Sequence, residues 1–164
     1  MLTNLRLLLL ALWLGAALFF SAAVAPSAFA VLRAYHLPNA GEIAGALVTR
    51  TLTVVNVGGF FVSIVLLITA FVLRRGSSRP FALEVIALAI VSVTTGVGHW
   101  MIAARMRALR AALPVPIDQV SADDPSRILF NTLHGYSVTA LSIAMIAALV
   151  AFAAIAYRAR ANGG

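Results

Sequence analysis

Long apolar runs separated by short polar segments dominate the pattern along the chain. Four such runs lie at about 7–32, 43–73, 81–104 and 128–157. Each is long enough for a helix to cross a hydrocarbon core of about 30 Å, which takes roughly 20 residues. A segment in lipid must satisfy its own backbone hydrogen bonds, so each run predicts a helix. We therefore predict an all-α fold, an integral membrane antiparallel four-helix bundle, as a single four-span domain over residues 1–164.

Polar residues and prolines indicate where these helices begin and end. Asn39 and Glu42 have the spacing of a capping box before the second run. Asp124, which precedes a proline, has the position of an N-cap before the fourth run. Pro114 should stop a helical tail of the third run at about Leu113, because "ARMRALRAAL" is rich in strong helix formers.

Composition supports a membrane protein. The chain is 62% hydrophobic and 10% charged, whereas soluble domains are about 45–50% apolar and about 25% charged. The net charge of +7 comes from 12 basic residues, all of them arginine. These arginines flank the apolar runs, where they meet lipid headgroups, and no basic face remains for nucleic acid. The absence of cysteine excludes disulfides and thiolate metal sites.

The first run has an alternative interpretation as a secretory signal. Arg6, the apolar run and the small-residue segment "SAFA" at 27–30 are typical of such a signal. The apolar run is longer than the 7–15 residues of a signal core, so we expect it to be retained as a span. Arginines divide almost evenly between the two sides. The cluster "RRGSSRP" occupies the shortest loop, which favours both termini in the cytoplasm.

Polar side chains inside the runs predict a site, because such groups usually face a bundle interior. At a helical rise of about 1.5 Å per residue, His99 should lie near the outer end of the third run, and His134 should lie at a similar depth in the fourth. We predict that they line one outward-facing polar pocket. Its full set of candidate ligand-binding residues is His99, His134, Asn131, Asn56, Arg50 and Thr95.

Several of these residues have structural alternatives. A histidine at a helix end often bonds backbone or water, and a buried amide such as Asn56 often links two helices. Arg50 could extend its side chain to the headgroups, pair with an aspartate of the loop before the fourth run, or hold an anionic ligand. We expect it to point into the bundle or its mouth. Gly98 and Gly135 should allow close approach of helices beside the two histidines.

Glu84 is the single carboxylate within the runs. The simpler interpretation is an ion pair at the rim of the bundle; its partner would be Arg6, Arg74, Arg75 or Arg79. The functional alternative is an entry point for protons or cations.

Four segments of the sequence resemble the transmembrane protein 205-like family, which in bacteria is the domain of unknown function 4149. They read "LWLGAALFFSAAVAPSAFAVL", "AGEIAGAL", "GHWMIAARMRALRAAL" and "FNTLHGYSVTALS", and the resemblance covers nearly the whole chain. It implies a four-span membrane domain, in a bacterial cytoplasmic (inner) membrane, and implies no established reaction, cofactor or substrate.

Three functional hypotheses remain. The first is binding of a small ligand or ion in the outward-facing pocket, for transport or envelope homeostasis. The second is a non-enzymatic scaffold or accessory subunit with a membrane protein partner, or a homo-oligomer. The third is a haem or copper module held by His99 and His134; we otherwise expect no cofactor and no committed metal site. The sequence carries no HExxH motif, no Ser-His-Asp order and no paired carboxylates, so we expect no enzymatic activity.

Overall fold

The structure is a computed structural model that describes residues 1–37, 39–73 and 79–161. These residues form four long helices: α1 (Leu2–Ala34), α2 (Ala40–Val72), α3 (Arg79–Ala112) and α4 (Pro125–Ala161). Each has a mean hydropathy of 2.0 to 2.5 over its most apolar window and is long enough to cross a membrane. A short 3-10 turn, Ile117–Gln119, lies in the connection between α3 and α4. The all-α membrane bundle predicted from the apolar runs is confirmed.

Two of the predicted helix-end signals are present in the structure, and one is not. The Asp124 carboxylate accepts a hydrogen bond of 2.7 Å from the backbone N–H of Ser126, as an N-cap does. α3 ends at Ala112, and Leu113 adopts the extended backbone that a following proline favours. Asn39 occupies the N-cap of α2, but its side chain makes no capping hydrogen bond, so the predicted capping box is wrong.

Neighbouring helices are antiparallel, and α1 packs on α2, α2 on α3, α3 on α4, and α4 on α1. The contact between α3 and α4 is the most extensive. α4 presents a stripe of small buried side chains: Ala144, Ala147, Ala148, Ala151 and Ala154. Small residues bring helix backbones close together, and in lipid this close packing supplies much of the association energy.

A large side chain also crosses between helices where a glycine makes room. Trp13 of α1 is 6% exposed, and its indole N–H donates a 2.9 Å hydrogen bond to the Val55 carbonyl of α2. A Cβ atom on Gly59 would lie 2.6 Å from the indole ring. Gly59 therefore provides the space in which the ring packs, and the hydrogen bond satisfies the one polar atom of the indole.

Two helices are interrupted by π-helical turns that the hydropathy pattern did not predict. α1 contains Phe20–Val24, and α3 contains Val97–Ala103. Hydrogen bonds from residue i to i+5 widen the helix at such a turn, and π turns are frequent at functional sites. Both turns lie in the half of the bundle that is farther from the chain termini.

Candidate functional site

A buried ion cluster joins the helices at the end of the bundle that holds both chain termini. The carboxylate of Glu84 pairs with the guanidinium groups of Arg6 and Arg158. Arg6 also donates a 3.0 Å hydrogen bond to the Leu66 carbonyl. The cluster thus connects the start of α1, the end of α2, the start of α3 and the end of α4, and it places the two termini on the same side of the bundle.

The ion pair that the sequence suggested for Glu84 is present, and it is buried. Glu84 is 0% exposed and pairs with Arg6 at this end of the bundle. Arg6 was among the expected partners; Arg158, from the other end of the sequence, was not. Arg158 also stacks over the Phe81 ring, 5.0 Å from its centroid. Arg74 and Arg75 lie outside the described residues. Each carboxylate oxygen of Glu84 pairs with one of the two arginines. The cluster therefore holds α1, α3 and α4 together at this end of the bundle.

A cleft opens in the other half of the bundle, among α1, α2 and α4. We call its deeper part the apolar cleft, which has a volume of about 290 Å³. Aromatic, aliphatic and methionine side chains form most of its walls. Its lining residues are Phe20, Ser21, Ala25, Pro26, Phe29, Val48, Leu52, His134, Ser137, Val138, Leu141, Ser142 and Met145.

The apolar cleft continues into a second space, which we call the polar mouth, with a volume of about 170 Å³. The two spaces share Phe29, Val48, Leu52, His134 and Ser137, so they are contiguous. The mouth adds further residues of α2 and α4 and brings in α3 and the α3–α4 connection: Gly41, Gly45, Thr49, Ala103, Met106, Arg110, Ile117, Asp118, Phe130 and Asn131. The combined space has an apolar depth and a charged entrance.

Two glycines of α2 shape the charged entrance. A Cβ atom on Gly41 would collide with the carboxylate of Asp118, and one on Gly45 would collide with the guanidinium of Arg110. These glycines are one helical turn apart on the same face. The opposite charges therefore lie side by side in two adjacent notches, and both line the polar mouth.

Arg110 is held in place without an ionic partner among the described residues. Its guanidinium carbon lies 4.8 Å from the centroid of the Phe130 ring, a cation–π contact. Its Nε is buried and makes no hydrogen bond. The Oε2 atom of Glu42 is also buried without a partner. Arg110 and Glu42 line a further small space of about 240 Å³ beneath residues 113–117.

Both π-helical turns border the cleft. Phe20 and Ser21 of the turn in α1 line the apolar cleft, and Ala103 of the turn in α3 lines the polar mouth. In α1 the N–H of Ala25 donates to the carbonyl of Phe20, five residues earlier. Widening at these turns moves the helix walls locally and contributes to the shape of the cleft.

The candidate site residues from the sequence are distributed between this cleft and other places. His134 and Asn131 line the mouth. His99 does not belong to the lining of either space; its ring meets the Trp100 ring at 5.0 Å, and its Nδ1 is buried without a partner. Whether His99 and His134 act together stays a prediction.

Two further candidates are buried among the helices. Asn56 is 3% exposed and faces Gly98 of α3, which lacks the Cβ atom that would crowd the amide. The Thr95 hydroxyl donates a 2.6 Å hydrogen bond to the Val91 carbonyl of its own helix. This packing agrees with the prediction that Gly98 allows the helices to approach closely. Gly135 has no atom within 4 Å of an added Cβ, so the close approach predicted there is wrong.

Arg50 lies on an exposed face of α2 and does not line the mouth, so the prediction that it points into the bundle or its mouth is wrong. The physical reason is helix length. α2 has 33 residues and is therefore about 50 Å long, well beyond a hydrocarbon core of about 30 Å. Arg50, about 15 Å from the start of α2, is close enough to the interface for its side chain to reach the headgroups.

Sequence reasoning missed Arg110 and Asp118 as parts of the site. Both fall outside the apolar runs, where charges ordinarily contact water or headgroups. The signal that could have located them is the pair of glycines at 41 and 45, which predicts a close approach on one face of α2. Nothing in the sequence alone indicates which side chains would enter the two notches. Within the described ranges, no group of three or more His, Asp or Glu side chains is arranged to hold a metal ion.

Comparison with known proteins identifies a family. A family model described as "Domain of unknown function (DUF4149)" matches residues 8–113, which is more than half of the chain. The chain belongs to the DUF4149 family. The DUF4149 match covers α1 from Leu8, α2, and α3 to its end, and so includes Gly41, Gly45 and Arg110. The likeness to transmembrane protein 205 stays a prediction. No curated protein and no solved structure matches the chain.

Proposed function

We propose that this DUF4149 protein is a non-enzymatic binding protein of the bacterial cytoplasmic membrane, and that it holds an amphipathic small molecule in the cleft among α1, α2 and α4. The observation that carries the proposal is the continuity of the apolar cleft with the polar mouth. Binding sites for small molecules are typically apolar spaces with a few polar groups that fix orientation. A cleft with an apolar depth and a polar mouth suits a molecule that has an apolar chain and a polar head.

The positions of the polar mouth and the apolar cleft along the helices support a ligand with its head in the mouth and its chain in the apolar cleft. Arg110 lies in the last turn of α3, and Asp118 lies in the following connection. We therefore expect the polar mouth to lie at the level of the headgroups. From Ser137 to Met145 the apolar cleft follows α4 over nine residues, a rise of about 12 Å. An amphiphile in a bilayer has its head and chain at these same relative depths.

The test is photolabelling in lipid nanodiscs with a lyso-phospholipid that carries a diazirine on its acyl chain. Labels should concentrate on peptides that contain Phe20, Leu52 and Met145. Leu52→Trp fills the space shared by both parts of the cleft and should lower labelling of these peptides by about tenfold, a change of about 1.4 kcal/mol in binding free energy.

Leu47→Trp is the matched control, because Leu47 is an exposed residue of the same helix that does not line the cleft. It should label as the wild type does. Uniform labelling of all lipid-facing peptides in the wild type, or equal labelling of the Leu52 variant and the wild type, would refute ligand binding in the cleft.

A further inference from the structure

Arg110 has a guanidinium group whose hydrogen-bond donors lack acceptors within the described protein. It carries five N–H donors in a fixed fork. None of the hydrogen bonds or ion pairs of residues 1–37, 39–73 and 79–161 involves it, and its Nε is buried. The side chain is nevertheless well positioned, between the Phe130 ring and the notch at Gly45. An arginine held in this way at a cleft is suited to a carboxylate or phosphate from elsewhere.

The carboxylates near Arg110 limit the charge of the ligand that can bind there. Asp118 lines the same mouth, and Glu42 lines the adjoining space, yet neither forms an ion pair with Arg110. A simple anion at Arg110 would face these two negative charges, and a simple cation at Asp118 would face the guanidinium. Like charges brought together in this way select against the wrong ligand. A ligand with both charges satisfies both groups.

We propose that the polar mouth binds a zwitterionic headgroup, with its oxyanion on Arg110 and a primary ammonium on Asp118. This inference rests on the proposed function, since it names the class of amphiphile that the cleft holds. The notches at Gly41 and Gly45 are about 5–6 Å apart, the spacing of residues one turn apart on a helix. A phosphoethanolamine-type group, in which a short linker joins phosphate and ammonium, fits two charges at this separation.

The two glycines permit a test that leaves every charge in place. Gly45→Ala should displace the Arg110 guanidinium, and Gly41→Ala should displace the Asp118 carboxylate. Each adds only a methyl group and replaces a helical glycine with a stronger helix former, so folding should be preserved. Gly135→Ala is the matched control, because an added Cβ there meets nothing within 4 Å.

The measurement is native mass spectrometry of delipidated protein, titrated with lyso-phosphatidylethanolamine and with lyso-phosphatidylglycerol of the same acyl chain. The wild type should bind the ethanolamine lipid about tenfold more tightly. Gly45→Ala and Arg110→Gln should weaken both lipids by about tenfold or more, as expected for lost charge-assisted hydrogen bonds. Gly41→Ala and Asp118→Asn should weaken the ethanolamine lipid alone and so abolish the preference.

Other results would overturn the inference in distinct ways. Equal or tighter binding of the glycerol lipid by the wild type would refute the zwitterion. Unchanged binding in Arg110→Gln, with binding lost in Leu52→Trp, would leave the cleft as a binding site and remove the role of Arg110. Unchanged binding in Leu52→Trp would refute the proposed function itself. Competition by glycerophosphoethanolamine, which has no acyl chain, at the concentrations of the lyso-lipid would assign the site to a soluble ligand.

Discussion

At the scale of single residues, Glu84 takes part in both ion pairs found among the described residues. Its carboxylate is fully buried and faces two guanidinium groups. Buried ion pairs recover their desolvation cost only when each charge is compensated, and removal of one partner leaves an uncompensated buried charge. The second arginine and the Leu66 carbonyl provide further compensation at this site.

Glu84→Gln should therefore destabilise the protein strongly. The neutral amide leaves Arg6 and Arg158 close together without a counter-charge, and we expect a loss of about 3–5 kcal/mol. Unfolding in mixed detergent and SDS micelles, followed by circular dichroism, measures the change. Arg107→Gln, an exposed arginine of α3, should shift the unfolding free energy by no more than about 0.5 kcal/mol. A Glu84 variant as stable as this control would show that the cluster does not stabilise the bundle.

The same residues show how far the sequence predicts a site. A carboxylate in an apolar run predicts a positive partner, and Arg6 was among the partners expected for Glu84. Arg158 was not, because it lies 74 positions away from Glu84 and only the antiparallel packing of α3 and α4 brings the two together. Likewise, periodicity placed His134 and Asn131 toward the polar region, but the entry of Arg110 into the notch at Gly45 depends on side-chain packing that periodicity does not contain.

At the scale of helices, hydropathy predicted the spans because lipid imposes one requirement on all of them. Backbone hydrogen bonds must be satisfied within the helix, so any sufficiently long apolar run becomes helical. The π turns obey that requirement too, and for this reason hydropathy did not distinguish them from α-helix. Phe20–Val24 precedes Pro26, which lacks a backbone N–H and so frees a carbonyl of the preceding turn.

Deletion of Ala23 should convert the π turn of α1 into regular α-helix. Bonds from i to i+5 hold about one residue more per turn than α-helical bonds, so the shortened turn keeps the register on both sides. We expect a stable bundle in which Phe20 and Ser21 no longer line the cleft, with photolabelling of the cleft peptides reduced. Circular dichroism and the nanodisc labelling assay measure the two effects.

Deletion of Ala11 is the control for that experiment, since it removes one residue from the regular α-helical part of α1. It should rotate residues 2–10 by about 100° relative to the rest of the helix and turn Arg6 away from Glu84. Unfolding at lower SDS fractions is the expected result. Equal stability of the two deletions would show that the π turn does not absorb the lost residue.

At the scale of the whole molecule, the two ends of the bundle differ in kind. The end with the termini is closed by the Glu84 cluster, which joins α1, α3 and α4 and reaches α2 through Leu66. The opposite end contains the polar mouth and the connection from α3 to α4. That connection is tied back by Arg127, which donates a 2.6 Å hydrogen bond to the Val120 carbonyl. A buried ion cluster therefore joins the helices at one end, and the polar mouth lies at the other.

Membrane orientation decides which compartment the polar mouth faces. By sequence position, Arg6, Arg74, Arg75, Arg79, Arg158 and Arg160 belong to the end with the termini. Arg33, Arg50, Arg105, Arg107, Arg110 and Arg127 belong to the other. With six arginines on each side, the cluster of three in the shortest loop should decide the orientation, because positive charges act most strongly in short loops. We predict that both termini are cytoplasmic and that the polar mouth faces outward.

Because the charges are so evenly balanced, a small change in the short loop should alter the orientation. Reporters that are active only in the cytoplasm, fused to either terminus of the wild type, should both be active. Replacement of Arg74 and Arg75 by glutamine leaves four arginines against six, so both reporters should lose activity together as part or all of the population inverts. Replacement of Arg105 and Arg107 is the matched control and should leave both active. Reporters on opposite sides would refute the antiparallel bundle. Two inactive reporters in the wild type would instead place the polar mouth in the cytoplasm.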